Sequence, residues 1–402
     1  MDGGDTMRTV LKHHGILALH LLITALLLIG LIERTQLRYL PQVFLYIGAL
    51  LAGYAMLDRL MPGLRHPVAQ SSPYTLFFIR AVLVAQVIQM IAHWAWLGGM
   101  PLWEALHEQN DLRIVAIRRA AGEGIPLPLD YFSHFLIKAF VPMALLLAWS
   151  KEQRLFWLLA VCASVYAVSL LAKSFFITLF VPLLLAFLVT RQWKCSAVLV
   201  SLFLAVTVLL STAANPQKLR TQPDQGVTGM AVPEDAGVKE HGFLLDALLG
   251  VGRRVVLMPG WTVAEWFMHI PADIPYAKGG VVRPLAVVLG VPYSDYTEKI
   301  YDLVYPEMAA KHVPGTMGTA SFMYGYANFG SWGLFGAGLI TACVLLLVQR
   351  IFGPRWKWAL VLNAFPLLAL SGSALPTVLL THGWGLTILL FLWLRPAHEP
   401  AA

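Results

Sequence analysis

The sequence predicts an all-α polytopic membrane protein of about ten transmembrane helices carrying two large loops on one face, and three observations predict it. Hydrophobic residues make up 58% of the 402-residue chain and charged residues only 13%, too little polar surface to coat a water-soluble globule of this size. Apolar runs of roughly the 20 residues that a bilayer crossing needs recur along the chain. Basic residues collect at alternate ends of those runs, which explains the net charge of +7 by topology rather than by a nucleic-acid partner.

In order, the runs centre on 15–32, 39–57, 74–97, 131–149, 155–172, 174–190 and 195–213, then, after about a hundred residues, on 328–349, 357–375 and 377–394. The first follows Arg8 and Lys12 and meets no small-residue cleavage site before Glu33, so it reads as a signal anchor. Arg59 and Arg65, Lys151 and Arg154, Arg191 and Lys194, Arg350, Arg355 and Lys357, and Arg395 mark the cytoplasmic ends. Both termini come out cytoplasmic, with the outer loops at 98–130 and 214–327. The organisation is therefore 1–97 (three spans), 98–130 (first loop), 131–213 (four spans), 214–327 (large loop) and 328–402 (C-terminal spans). The stretches 243–258 and 281–292 are apolar enough for re-entrant or interfacial helices, and one additional hairpin would make twelve spans. Cys162, Cys195 and Cys343 lie in or beside apolar runs with no zinc-like spacing, which predicts neither a disulfide nor a metal.

The large loop holds nine Lys and Arg against eleven Asp and Glu, so general attraction to a polyanion is not its purpose. It mixes rings and carboxylates, among them Trp261, Glu265, Trp266, His269, Tyr293, Asp295, Tyr301 and Tyr305, as sites that stack rings on sugar faces do. Interfacial anchoring is the competing reading of any one ring. Arg253 and Arg254 follow an apolar stretch, and paired guanidinium groups suit a diphosphate at the outer membrane surface, with a salt bridge to Asp246 as the plainer alternative. Arg113, Arg118 and Arg119 form a second cluster on a helical segment from Trp103 to Ala120. His134 and Lys138 stand one turn apart inside the fourth span, and Lys173 interrupts the run between the fifth and sixth; charges within hydrocarbon face a bundle interior or a functional cavity. His107-Glu108 lacks the second histidine of a zinc-protease helix, and no Walker loop, nucleophile elbow or dinucleotide fingerprint is present.

Three stretches resemble the oligosaccharide repeat-unit polymerases of bacterial inner membranes, the Wzy-type O-antigen and exopolysaccharide polymerases: Gly98-Gly99-Met100-Pro101-Leu102 before an Arg-bearing helix, Lys173-Ser174 before an apolar run, and Gly315-Thr316 through Ser321 followed by Tyr326-Ala327-Asn328-Phe329-Gly330 and Gly333. The order of these features across about residues 95–340 is the stronger signal. Tyr324 departs from the pattern, standing where many relatives carry Glu. The resemblance implies a GT-C-like fold and metal-independent, cofactor-free glycosyl transfer on the periplasmic face, from an undecaprenyl-diphosphate-linked oligosaccharide to a second lipid-linked unit. Membrane lipid and a Wzz-like chain-length regulator are the implied partners, with no nucleic acid. On this reading Arg253, Arg254, Arg118, Lys173, Arg113 and Lys138 cradle the diphosphate, Glu265, His269 or Asp295 is the base, and Trp261, Tyr293, Tyr324 and Tyr326 hold glycan. An O-antigen ligase, which would require His241, His269 or His312 and a lipid A acceptor, is the nearest alternative. A lipid-linked oligosaccharide transporter is disfavoured by the lack of internal duplication.

Overall fold

The computed structural model describes residues 3–61, 72–108, 111–171, 173–214, 252–310, 315–353 and 355–396. All of its regular structure is helical: α1 (Gly3–Thr35), α2 (Leu40–Leu60), α3 (Thr75–Leu97), α4 (Pro101–His107), α5 (Asp111–Glu123), α6 (Leu127–Lys151), α7 (Gln153–Ser169), α8 (Lys173–Val189), α9 (Trp193–Ala214), α10 (Met258–His269), α11 (Arg283–Leu289), α12 (Tyr296–Val304), α13 (Pro306–Ala310), α14 (Ser321–Phe352), α15 (Trp356–Ala369), α16 (Leu375–Leu380) and α17 (Trp384–Leu394). Nine of the ten apolar runs centre on one helix each, and the last, 377–394, is divided between α16 and α17. Among the described residues, six stretches are long and apolar enough to cross a membrane: Leu11–Thr35, Leu40–Leu60, Thr75–Leu97, Leu127–Lys151, Ser321–Phe352 and Leu375–Leu394. The other four runs correspond to shorter apolar stretches, Gln153–Ser169, Phe175–Val189, Trp193–Thr207 and Trp356–Ala369. The chain is thus a helical, polytopic membrane protein. It divides into two compact units, one built of Met1–Arg65, Gly226–Pro354 and Leu367–Val378, the other of His66–Gln225, Arg355–Pro366 and Leu379–Ala402.

Glycines set the helix contacts of the first unit. A Cβ on Gly338 of α14 would lie 2.7 Å from Tyr46 O and one on Gly53 of α2 would lie 2.8 Å from Leu339 Cδ2, so these two helices approach at small residues. Close packing of this kind holds helices together where lipid removes the hydrophobic drive. At α1 and α10 the approach is tighter still, since a Cβ on Gly30 would lie 2.0 Å from Leu257 O and one on Gly260 would lie 2.2 Å from Leu27 O. Only hydrogen fits at either position.

Two helix breaks in this unit are matched by named side-chain or loop partners. His14 is non-helical (φ −136°) inside α1, and there Gln349 bridges the break: its amide donates to Lys12 O (3.0 Å) and accepts from Ile16 N (3.1 Å). The Tyr326–Gly333 stretch lies inside a helix: α14 starts at Ser321 and kinks at Phe329 and Gly330 (φ 61°). The kink releases two carbonyls from the helix ladder, and the loop takes them, Ala277 N donating to Ala327 O (2.9 Å) and Lys278 N to Asn328 O (3.1 Å). The Asn328 side chain completes the latch by accepting from Gly279 N (2.8 Å) and Val281 N (3.2 Å). Gly333 faces Gly325 O across the bend, where a side chain has no room.

In the second unit the predicted single helix from Trp103 to Ala120 is two, α4 and α5; their apolar face packs inward while Arg113 and Arg118 stand exposed on the other. Ala105, Ile114, Leu171 and Leu210 form a buried apolar cluster there. Beneath it a buried polar chain ties α3 to α6 and α7: His93 Nδ1 lies 2.6 Å from Tyr166 OH, which lies 2.6 Å from Ser133 Oγ. Leu171, at φ 56°, makes the tight turn between α7 and α8.

Candidate functional site

The Gly30–Gly260 crossing brings the C-terminal turn of α1 against α10, the two running in the same direction over 27–34 and 257–265. About one turn beyond it, Arg34 meets Glu265. The guanidinium grips a single carboxylate oxygen, with Nε 3.0 Å and Nη2 2.8 Å from Glu265 Oε1. Glu265 is buried while the Arg34 side chain is 48% exposed. The second oxygen, Oε2, is 3.6 Å from Nε2 of His269, one helical turn on. His269 Nδ1 in turn lies 2.6 Å from Asp273 Oδ2. An imidazole whose Nδ1 proton is donated to a carboxylate presents the Nε2 lone pair, the arrangement that makes histidine a base.

Rings border this Arg34–Glu265–His269–Asp273 row. Trp261, half-buried, donates from Nε1 to Glu33 Oε2 (2.8 Å). Tyr301 and Tyr305 pack with ring centroids 5.1 Å apart and planes tilted by 47°, and a Cβ on Gly315 would fall against the Tyr301 ring. Burial and the Glu265 carboxylate push the Tyr305 phenol above its ordinary range, which keeps it a neutral hydrogen-bond donor.

Of the residues singled out from sequence, Glu265 and His269 come together as above. Asp295 is the N-cap of α12, accepting from Thr297 N (2.9 Å) and Thr297 Oγ1 (2.6 Å), and Tyr293 OH donates to its other oxygen (3.1 Å). Its oxygens are taken up by capping, which leaves His269 and Glu265 as the base candidates. Arg283 stacks its guanidinium 4.7 Å above the Tyr293 ring. Tyr324 is half-buried with its ring 5.2 Å from Trp266. Tyr326, 7% exposed, packs between Phe267 and Tyr276 and donates to Ile270 O (3.2 Å), so it supports the loop rather than opening onto a ligand.

The predicted diphosphate cations distribute differently. Arg253 is exposed in a π turn (Arg253–Leu257) that runs straight into α10. Twelve residues of helix separate it from Glu265, about 18 Å along the axis, so Arg253 and the base candidates do not share one anomeric carbon. The side chains of Arg254 and Lys173 lie outside the described residues, as do Asp246, His241 and His312. In the second unit Arg113 and Arg118 are exposed on α5, Arg113 Nη1 lying 3.3 Å from Glu108 Oε2 at an open cavity of about 580 Å³ also lined by Glu104 and His107. Lys138 is half-buried in a π turn of α6.

Arg34 escaped the sequence reading because a cation at the end of a span passes for a topology marker. Its partner lies 231 residues away. The Glu33-Arg34-Arg38 cluster at the end opposite Arg8 and Lys12 is the signal that a topology argument leaves unexplained. Compared with known proteins, the chain matches no family model, no curated protein and no solved structure.

Proposed function

We propose that the chain transfers a glycan from a polyprenyl diphosphate to a sugar hydroxyl at the outer leaflet of a bacterial inner membrane, as an oligosaccharide repeat-unit polymerase. Ten spans, cytoplasmic termini and periplasmic loops belong to this proposal. The observation that carries it is the His269 imidazole held between the Glu265 and Asp273 carboxylates beside a half-exposed arginine.

On this reading His269 Nε2 removes the proton of the acceptor hydroxyl, that oxygen forms a bond to the anomeric carbon, and the bond from that carbon to the diphosphate breaks, the electron pair leaving on phosphate oxygen. Asp273 holds the imidazole in the productive tautomer. Glu265 faces the imidazolium as it forms, and Arg34, fixed to Glu265, places positive charge next to the reacting centre. Trp261 and Tyr305 offer ring faces and a hydroxyl to the sugars. Arg253 and Arg254, on the far side of the glycine crossing, suit a more remote part of the lipid-linked substrate.

In cells that display polymer as a ladder, His269→Ala is expected to leave single repeat units only. An undiminished ladder in that variant would overturn the proposal. The positioned histidine also favours a second reading, the O-antigen ligase, for which the same variant would lose surface glycan entirely.

A further inference from the structure

The second unit holds a charged cluster within the Leu127–Lys151 span. Asp130, His134 and Lys138 recur at intervals of four residues and so lie above one another on α6. His134 Nε2 is 3.3 Å from Asp130 Oδ1. Around Lys138 the helix widens into a π turn, Leu136–Phe140, an irregularity that recurs at functional sites. The chain before α17 lies against this turn because Gly383 (φ 77°) has no side chain there; a Cβ would sit 3.3 Å from Ala139 Cβ and 3.8 Å from Lys138 Cβ. His382 is thereby brought within electrostatic range of both Lys138 and His134.

The cluster holds one carboxylate against three basic side chains. Two of its ring nitrogens, His134 Nδ1 and His382 Nδ1, are buried with no hydrogen-bond partner among the described residues, a cost that a ligand oxygen would relieve. His93, on α3, is in range of Asp130 but both its nitrogens are engaged, with Tyr166 OH and with Ala121 O (3.1 Å). Phe175 stands edge-on to His134 at 5.7 Å, adding an apolar wall. Donors in excess of acceptors, within an apolar span, fit an anion with several oxygens, since a tetrahedral phosphate can accept from an ammonium and two imidazoles at once.

We propose that Asp130, His134, Lys138 and His382 form an oxyanion site for a phosphate or diphosphate group, in which Asp130 is the resident counter-ion that the ligand displaces. The site goes beyond the proposed function and rests on it only for the lipid tail that a bound diphosphate would carry. Binding of inorganic pyrophosphate to the purified full chain in detergent, followed by calorimetry, tests it. The wild type is expected to bind saturably, Lys138→Met and His382→Gln to bind about tenfold more weakly, and Asp130→Asn, which removes the competing anion, to bind more tightly. No saturable binding by the wild type, or binding unchanged in Asp130→Asn and His382→Gln with melting temperatures preserved, would overturn it. Should Lys138→Met fail to fold, Asp130→Asn carries the test alone. Competition by farnesyl diphosphate but not by phosphatidylglycerol would identify the lipid-linked diphosphate as the source, and the reverse a phospholipid headgroup. Pyrophosphate bound by a chain that elongates no glycan would sink the functional reading and leave this site standing; elongation without pyrophosphate binding would do the opposite.

Discussion

At the scale of single residues, the account turns on hydrogen bonds that orient rather than merely hold. Asp273 fixes His269 from 2.6 Å, so Asp273→Asn is expected to lower kcat by about 10²-fold or more, by allowing the wrong tautomer, while KM changes little. Elongation kinetics with a lipid-linked acceptor check this; equal effects on KM alone would make Asp273 a binding residue. Gln349 does comparable work for the fold, since it satisfies Lys12 O and Ile16 N at the break in α1. Gln349→Leu is expected to cost about 2 kcal/mol, read as a lowered melting temperature in detergent with elongation by the surviving fold intact. Which residues were legible follows from their surroundings. His269 and Glu265 were legible as titratable groups among rings in a long loop. Tyr326 resembled them in composition, and nothing in the sequence shows that its hydroxyl goes to Ile270 O and its ring to Phe267.

At the scale of elements, backbone approach decides where the site forms. Gly260→Ala would place a methyl about where Leu27 O lies, which α10 can relieve only by moving away from α1 and drawing Glu265 off Arg34. Overpacking of this kind costs about 1–3 kcal/mol, and the variant is expected to lose elongation well beyond what its loss of folded protein explains, a comparison made on protein that survives size-exclusion chromatography. Asn328→Ala removes the acceptor of Gly279 N and Val281 N, and should expose the 277–282 loop to protease without unfolding α14. Apolar runs were legible because a bilayer demands them in bulk. The glycine crossings and the kink at Phe329 and Gly330 were not, since they depend on which helices meet, and a glycine inside an apolar run looks the same whether it faces lipid or a neighbouring backbone.

At the scale of the molecule, the apolar composition and the six span-length helices among the described residues agree on a helical, polytopic membrane protein, and the proposed function places the chemistry on its loops. Single cysteines introduced at Gly122 and at Asp302 are expected to react with a membrane-impermeant maleimide from the same, periplasmic side, and labelling of the two from opposite sides would break the proposed topology. The central claim is that the Arg34–Glu265–His269–Asp273 row moves glycan. Its most direct measurement is elongation by the purified chain in nanodiscs supplied with polyprenyl-diphosphate-linked repeat units. The account expects the wild type to make lengthening products and His269→Gln to slow their formation by about 10²-fold or more with substrate binding retained. Elongation at the wild-type rate by His269→Gln would contradict it.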